Sequence, residues 1–535
     1  MQLQSKISIF LENKRTRLIA LVTLTTLYGI LLAQNIAAPF WGILDDEPAL
    51  FGIAAKSWIV HSPMAFGFGL WLPEWIWGGN GYFFHHPQFI GIPLYLSYLF
   101  FGVGEWQTRL PAILFSLLSL VVFWFLIERA FRNHFLTLTA SFFLALFPTS
   151  VFFGRMMSFH TVVGFFTLLS FLLLLLIETE KKQKYVWFFL LSVIIGGLTD
   201  WTYFLASLAA WMYIVLRKDM AYRRVLLWTL PLAALFSVAI TALQVVLLGG
   251  VAAILEVPST FIDHTTQYHA SFIKLILFRG ENEVRMFTGI GLALALVGAV
   301  FLFRKKEHRL FAGMLAFQGA VYLALIGGWS LAQNHPFWSF HLIPFIALAA
   351  AYALQKVKHI AFIALVAIFI FESGWLVYGL FNTKSFEKDD YALFKKANRG
   401  VPAQEPICSG RVNPSYAQSF VFGHDMEYGL CANSRYAVMR RWEPAIEYAK
   451  QISYGFDKPF SSNIRKSSPE VALVMEIVKL FPELKARVAH LISGGDADYR
   501  EKIAIAAEEA SLRQQRGFTE TECSTNFCFY IIYIK

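Results

Sequence analysis

The sequence predicts a mainly α, polytopic transmembrane helical bundle of about eleven spans, with interfacial helices in its first external loop, followed by a C-terminal soluble α/β domain. Three observations predict it. Apolar runs of about 20 residues, the length a helix needs to cross a bilayer, recur along the first two thirds of the chain. The chain is 57% hydrophobic and only 15% charged, with a mean hydropathy of +0.53. From residue 384 the pattern stops: charges become dense, apolar runs are broken, and Gly, Pro and Ser recur. The domains expected are a transmembrane module over 1–383 and an extracytoplasmic soluble domain over 384–535.

Each element follows from local pattern. The run 17–38 comes after "NKRTR" and is too long for a signal-peptide core, so it reads as a retained first helix. Asp45, Asp46 and Glu47 then precede Pro48, which suits the first turn of a helix; the carboxylates suit its positive end. Leu50, Phe51, Ala54 and Trp58 fall on one face, predicting a helix over 48–60 that lies along the membrane surface. The run 88–102 is too short for a confident span and reads as a second surface helix. Further spans are predicted at 108–128, 135–154, 157–177, 185–199, 201–216, 225–249, 286–303, 309–331, 337–355 and 360–381. In the hydrophilic region, 468–515 has helical spacing, and "CSTNFCFYIIYIK" reads as a strand after a tight Cys-x4-Cys turn.

Charge sets the orientation. Alternate loops hold nineteen Lys and Arg, whereas the opposite loops and helix mouths hold six: Lys56, Arg109, Arg155, Lys274, Arg279 and Arg285. This bias predicts an integral, multi-pass plasma (inner) membrane protein with a cytoplasmic N-terminus, residues 39–107 outside and an extracytoplasmic C-terminal domain. Counting 88–102 as a span would invert every later loop and abolish the bias. The net charge of +10 is therefore topological, and no basic groove suggests nucleic acid. All four cysteines, Cys408, Cys431, Cys523 and Cys528, fall in the region predicted to be exported. They are disulfide candidates, with the pairing open.

Chemistry-bearing residues collect on the same external side. Besides Asp45, Asp46 and Glu47, they include His85 and His86 of "FFHHPQ", Arg155 and His160 of "GRMMSFH", and Asp200 of "GLTDW". Arg279, His335 and His341 join them. Acids able to accept a proton and cations able to hold a phosphate converge at one membrane surface. That combination, with a lipid-dissolved substrate, points to glycosyl transfer from a polyprenyl-phosphate sugar. A transporter or flippase of lipid-linked glycans would place such groups along a path through the membrane, where Glu372 is one of few acids. A non-catalytic scaffold would leave the crowded loops without a purpose.

The segments "DDEPALFGIAAKSW" and "FFHHPQFIGIPLYLSYLFFGVGEWQTRLPAILFSLLSLVVFWFLIERAF" carry a resemblance, joined more loosely by "GLTDW" and "HLIPFIALAAAYAL". Over residues 17–355 the chain resembles the GT-C glycosyltransferases of the protein O-mannosyltransferase and lipid A aminoarabinose transferase superfamily. The resemblance implies a lipid-linked donor, inversion at the sugar carbon and no required cofactor. By position, Asp46 matches the catalytic first-loop aspartate, with Glu47 beside it. Arg155, Arg279 and His85 or His86 become donor-phosphate candidates. Asp45, His160, Asp200, His335 and His341 are candidates for the acceptor or sugar pocket. The chain departs from its relatives at His85–His86, where they carry pairs such as Glu-Lys, and at Asp200, where many carry lysine. A divalent cation at Asp45, Asp46 or Glu47 is compatible with oxygen-rich ligation. The expected partners are a polyprenyl-phosphate sugar, a glycan, lipid or protein acceptor, and membrane lipid. An oligosaccharide-transferring ligase is the nearest alternative.

Overall fold

The computed structural model describes residues 10–40, 46–72, 81–266, 280, 283–333 and 336–382, together with five strands between 407 and 532. The chain forms two compact units. The first comprises 1–37, 58–70 and 83–378; the second comprises 38–57, 71–82 and 379–535.

The first unit is helical. In chain order its helices are α1 (Lys14–Leu32), α2 (Asp46–His61, begun in the second unit), α3 (Gly91–Phe101), α4 (Glu105–Phe131), α5 (His134–Leu146) and α6 (Pro148–Phe153). They continue with α7 (Phe159–Glu180), α8 (Gln183–Gly197), α9 (Tyr203–Leu216) and α10 (Arg223–Thr266). The last four are α11 (Gly289–Arg304), α12 (Lys306–Gln333), α13 (Ile343–Leu354) and α14 (His359–Asn382). Every apolar run predicted as a span is helical. By length and composition, five helices among the described residues can cross a membrane: α1, α4, α7, α10 over Arg223–Ile254 and α14 over Ile360–Asn382.

Local chemistry explains the breaks. Asn13 and Asn133 cap α1 and α5, their side chains accepting from Arg15 N at 2.8 Å and Leu136 N at 3.0 Å. The predicted continuous helix over 135–154 is divided. Pro148 drives Phe147 into an extended conformation (ψ 136°), ending α5 and opening α6 at its first position. Gly250, with φ 77° and ψ 176°, interrupts α10 where the sequence reads "LLGGVA". Pro111 lies inside α4 and lacks the N–H that would meet the Gln107 carbonyl; Ser97 Oγ of α3 donates to that carbonyl instead, at 2.7 Å. This joins the surface-helix candidate to its neighbour.

Small residues permit a close helix approach. A Cβ on Gly298 of α11 would lie 1.7 Å from the Ala349 carbonyl oxygen in the alanine-rich α13. Glu372 of α14 accepts from Ile290 N at 3.1 Å, and Thr288 Oγ1 accepts from Gly291 N at 2.9 Å. Both serve the unsatisfied N–H groups that open α11. The sole deep acid the sequence analysis noted is thus a helix-terminus partner. Arg17 pairs with Glu128 and Arg129 with Glu180, each at 2.8 Å, tying helix ends that border the basic loops.

In the second unit, α2 begins at Asp46, so Pro48 occupies its first turn as expected. Ala49, Leu50, Phe51, Ile53, Ala54 and Ala55 are all buried. The helix is therefore enclosed on more than the single face the sequence suggested. A five-stranded mixed sheet follows, formed by β1 (Ile407–Cys408), β2 (Met426–Glu427), β3 (Tyr436–Arg440), β4 (Phe518–Cys523) and β5 (Phe527–Ile532). The order is β2-β1-β3-β5-β4. Strand β1 runs parallel to β2 and β3, whereas β5 is antiparallel to β3 and β4. The predicted terminal strand is β5. Cys523 and Cys528 are register partners across its hairpin with β4. Cys408 lies in β1; Cys431 and the helical pattern at 468–515 lie outside the described residues.

Candidate functional site

The first unit gathers four of the sequence-predicted site residues. His86 is on the loop before α3, Asp200 on the α8–α9 turn, His160 in the first turn of α7, and His341 in the 3-10 segment Pro336–Leu342. His86 Nδ1 lies 2.9 Å from Asp200 Oδ2. The carboxylate is 1% exposed, the imidazole 33%. Asp200 Oδ1 accepts from Thr202 N at 2.6 Å, closing an Asx turn at the start of α9. His160 Nδ1 lies 3.0 Å from His341 Nε2, so one ring must supply the hydrogen and the other the lone pair.

Residues the sequence analysis did not single out hold this loop. Gln88 is buried and anchors three backbone groups: its Oε1 accepts from Leu70 N at 2.6 Å, and its Nε2 donates to Phe83 O at 2.7 Å and His86 O at 2.5 Å. Trp201 Nε1 donates to His85 O at 2.8 Å, binding the loop to the α8–α9 turn. The His86 ring stacks on Phe159 with centroids 4.2 Å apart and planes 20° apart, and His85 stacks on Phe83 at 5.3 Å. Trp58 donates to Gly69 O at 2.9 Å and lies against Gly91, where a Cβ would approach its ring to 2.4 Å. "HHPQ" and "DW" offered a signal: a polar or aromatic side chain one or two positions after a candidate site residue.

Electrostatics favour the ionised carboxylate of Asp200. Burial acts to raise the Asp200 carboxyl, but the charge and hydrogen bond of His86, the His160 ring and the Thr202 N–H prevail and hold it below the usual carboxylate range. Deeper in the unit, Ser150 Oγ and His341 Nδ1 are buried without a hydrogen-bond partner among the described residues. Both residues line a cavity of about 30 Å³, along with Tyr28, Ser116, Thr167 and Gln318. That volume suits about two water molecules, and its polar lining supplies their partners.

Two buried arginines, the phosphate candidate Arg155 and Arg109, have backbone partners. Arg155, 6% exposed, donates from Nη1 to Gln34 O and from Nη2 to Asn35 O, the latter at 3.1 Å. Arg109 donates to Ile36 O at 2.9 Å. Two buried guanidiniums thus hold three successive carbonyls just past α1, where Asn35 adopts φ 52°. In the second unit, Asp46 and Glu47 open α2, at the end of a helix that favours negative charge. Asp45, Arg279 and His335 lie outside the described residues. Among the described residues, no three His, Cys, Asp or Glu side chains are grouped to hold a metal ion.

The comparisons bear on this arrangement. The profile of the dolichyl-phosphate-mannose-protein mannosyltransferase family matches residues 85–248, the stretch that holds His85, His86, Arg155, His160 and Asp200. No curated protein sequence matches the chain. Among solved structures, the fold is similar to ArnT from Cupriavidus metallidurans bound to undecaprenyl phosphate, with a TM-score of 0.61 and 10% identity over 95% of this chain and 97% of that one. It is also similar to the oligosaccharyltransferase AglB from Archaeoglobus fulgidus in complex with an inhibitory peptide and a dolichol-phosphate, with a TM-score of 0.52 and 12% identity over 81% and 71%. A second AglB structure, in complex with Zn and sulfate, matches at a TM-score of 0.52 and 14% identity over 81% and 70%. The expected resemblance is met: the chain has the GT-C fold, and its residues 85–248 match the mannosyltransferase family profile.

Proposed function

We propose that the chain is an integral-membrane glycosyltransferase that moves a sugar from a polyprenyl-phosphate donor to an acceptor hydroxyl on the extracytoplasmic side. The carrying observation is the His86–Asp200 pair: a partly exposed imidazole backed by a buried carboxylate, inside the segment that matches the mannosyltransferase family profile. The ArnT structure that shares the fold holds undecaprenyl phosphate, which supports the donor class.

Asp46 acts as general base at the mouth of the first external loop. It takes the acceptor hydroxyl proton while the acceptor oxygen forms a bond to the sugar carbon. The bond from that carbon to the phosphate oxygen breaks, its electron pair stays with the phosphate, and the configuration inverts. His85 and His86 meet the phosphate, whose growing negative charge makes a cation most valuable in the transition state. The N-terminus is cytoplasmic, and residues 384–535 form an external domain.

The test is release of polyprenyl phosphate from synthetic polyprenyl-phosphate hexoses and pentoses by the full chain in lipid nanodiscs, followed by mass spectrometry. Acceptor-dependent release supports the reading. Binding of these donors without release, in the presence of acceptors, removes it in favour of a transporter.

A further inference from the structure

A histidine is an uncertain cation near neutral pH, because its charge depends on what surrounds it. The geometry around His86 addresses that uncertainty. Its Nδ1 edge faces a carboxylate that is almost wholly enclosed, and the opposite edge of the ring therefore faces away from Asp200. The ring has little freedom to leave. It lies flat against Phe159, Gln88 holds its carbonyl, and Pro87 restricts its backbone. Asp200 is equally fixed, one oxygen on the Thr202 N–H and the other on His86.

We propose that Asp200 is a positioning residue that makes His86 a phosphate-holding cation. The carboxylate fixes the Nδ1–H, and its charge keeps the second ring hydrogen on Nε2, the nitrogen left to meet the donor phosphate. This inference rests on the reading of the chain as a polyprenyl-phosphate-dependent glycosyltransferase and assigns a role within it.

Two physical arguments carry it. A buried carboxylate without a counter-charge is strongly destabilising, and an imidazolium at 2.9 Å supplies one. A charge-assisted N–H···O bond to phosphate is also about twice as strong as a neutral one, so a ring held in its charged form binds the donor better. The titratable groups around the pair are His85 on the same loop, His160 on α7, Tyr203 on α9, Tyr322 on α12 and His341 on the 3-10 segment. Tyr203 bonds Ser170, and His160 and His341 bond each other. None of these is an acid, which leaves Asp200 as the anion beside His86 among the described residues.

The test is binding of a synthetic undecaprenyl-phosphoryl hexose to the full chain in nanodiscs, from about pH 6 to about pH 9. This donor is a phosphodiester, and its single charge does not titrate across that range. Asp200→Asn is expected to weaken binding about tenfold or more near neutral pH and to move the alkaline loss of binding to lower pH. A role confined to folding would lower the active fraction without moving the pH profile. Wild type that binds no donor at any pH sinks the glycosyltransferase reading itself. Wild type that binds, alongside an Asp200→Asn variant with the same affinity and the same profile, overturns this inference alone. Should Asp200→Asn fail to fold, His86→Gln gives the same decision. Weaker binding is expected, and binding like that of wild type refutes the role.

Discussion

Ser97 Oγ donates to the Gln107 carbonyl at 2.7 Å, and the bond exists because Pro111, four residues further along α4, cannot. The serine of one helix thus completes the hydrogen bonding of the next. Ser97→Ala leaves a buried carbonyl unpaired and is expected to destabilise the chain by about 1–3 kcal/mol. Pro111→Ala restores the missing N–H. The double variant is therefore expected to recover most of the loss, a coupling that thermal unfolding of the four proteins in one detergent would measure.

Gly298 tests the close approach of α11 and α13. Its virtual Cβ meets the Ala349 carbonyl at 1.7 Å, and a backbone atom cannot swing aside as a side chain can. Gly298→Ala should destabilise by about 2 kcal/mol or more, because α11 and α13 must separate. Gly313→Ala in α12 is the control: its Cβ would meet nothing nearer than Phe303 at 4.0 Å, and a helix gains slightly from alanine. Equal midpoints for the two variants would contradict the packing described.

Asp46→Asn separates chemistry from binding. Removing a general base is expected to lower the rate of sugar release by about a hundredfold or more. Donor affinity should change little, since the proposed phosphate contacts are His85 and His86. Single-turnover release measured beside donor binding tests the division, and a variant that releases sugar at the wild-type rate would remove Asp46 from the mechanism.

Asp200 also governs acid stability. Its carboxyl is held below the usual range in the folded chain, so its contribution is fully present above the unfolded value of about 3.9 and is lost as pH falls through the lower folded value. Wild type should therefore unfold at a higher temperature than Asp200→Asn at about pH 5. The margin should shrink below about pH 4. A margin that widened as pH fell below about 4 would reverse the sign and deny the ion pair.

The sequence made much of the scaffold legible. Hydrophobic runs located the helices because a bilayer demands a fixed apolar length, and "GG" at 249–250 marked the interruption of α10. The break at Pro148 was equally visible, but the apolar run across it masked the stop. The terminal strand was readable from "CFYIIYIK". The site was legible in part: His86, Asp200, His160 and His341 each stood out individually. Their pairing was not legible, since 114 residues separate His86 from Asp200 and 181 separate His160 from His341. No spacing rule connects residues brought together by tertiary packing. Arg155 stood out as a costly cation near a membrane surface, yet its carbonyl partners are backbone atoms, which residue identity does not announce. Gln88 was overlooked for the same reason.

The two arginines beyond α1 also impose an order on biogenesis. The carbonyls of Gln34, Asn35 and Ile36 are made first, but the groups that satisfy them come from Arg109, 73 residues downstream of Ile36, and Arg155, 120 residues downstream of Asn35. During synthesis the C-terminal end of the first helix stays unfinished until α4 and the segment after α6 have been made. A nascent chain stalled before Arg109 should thus expose that end to proteases, and one stalled beyond Arg155 should protect it.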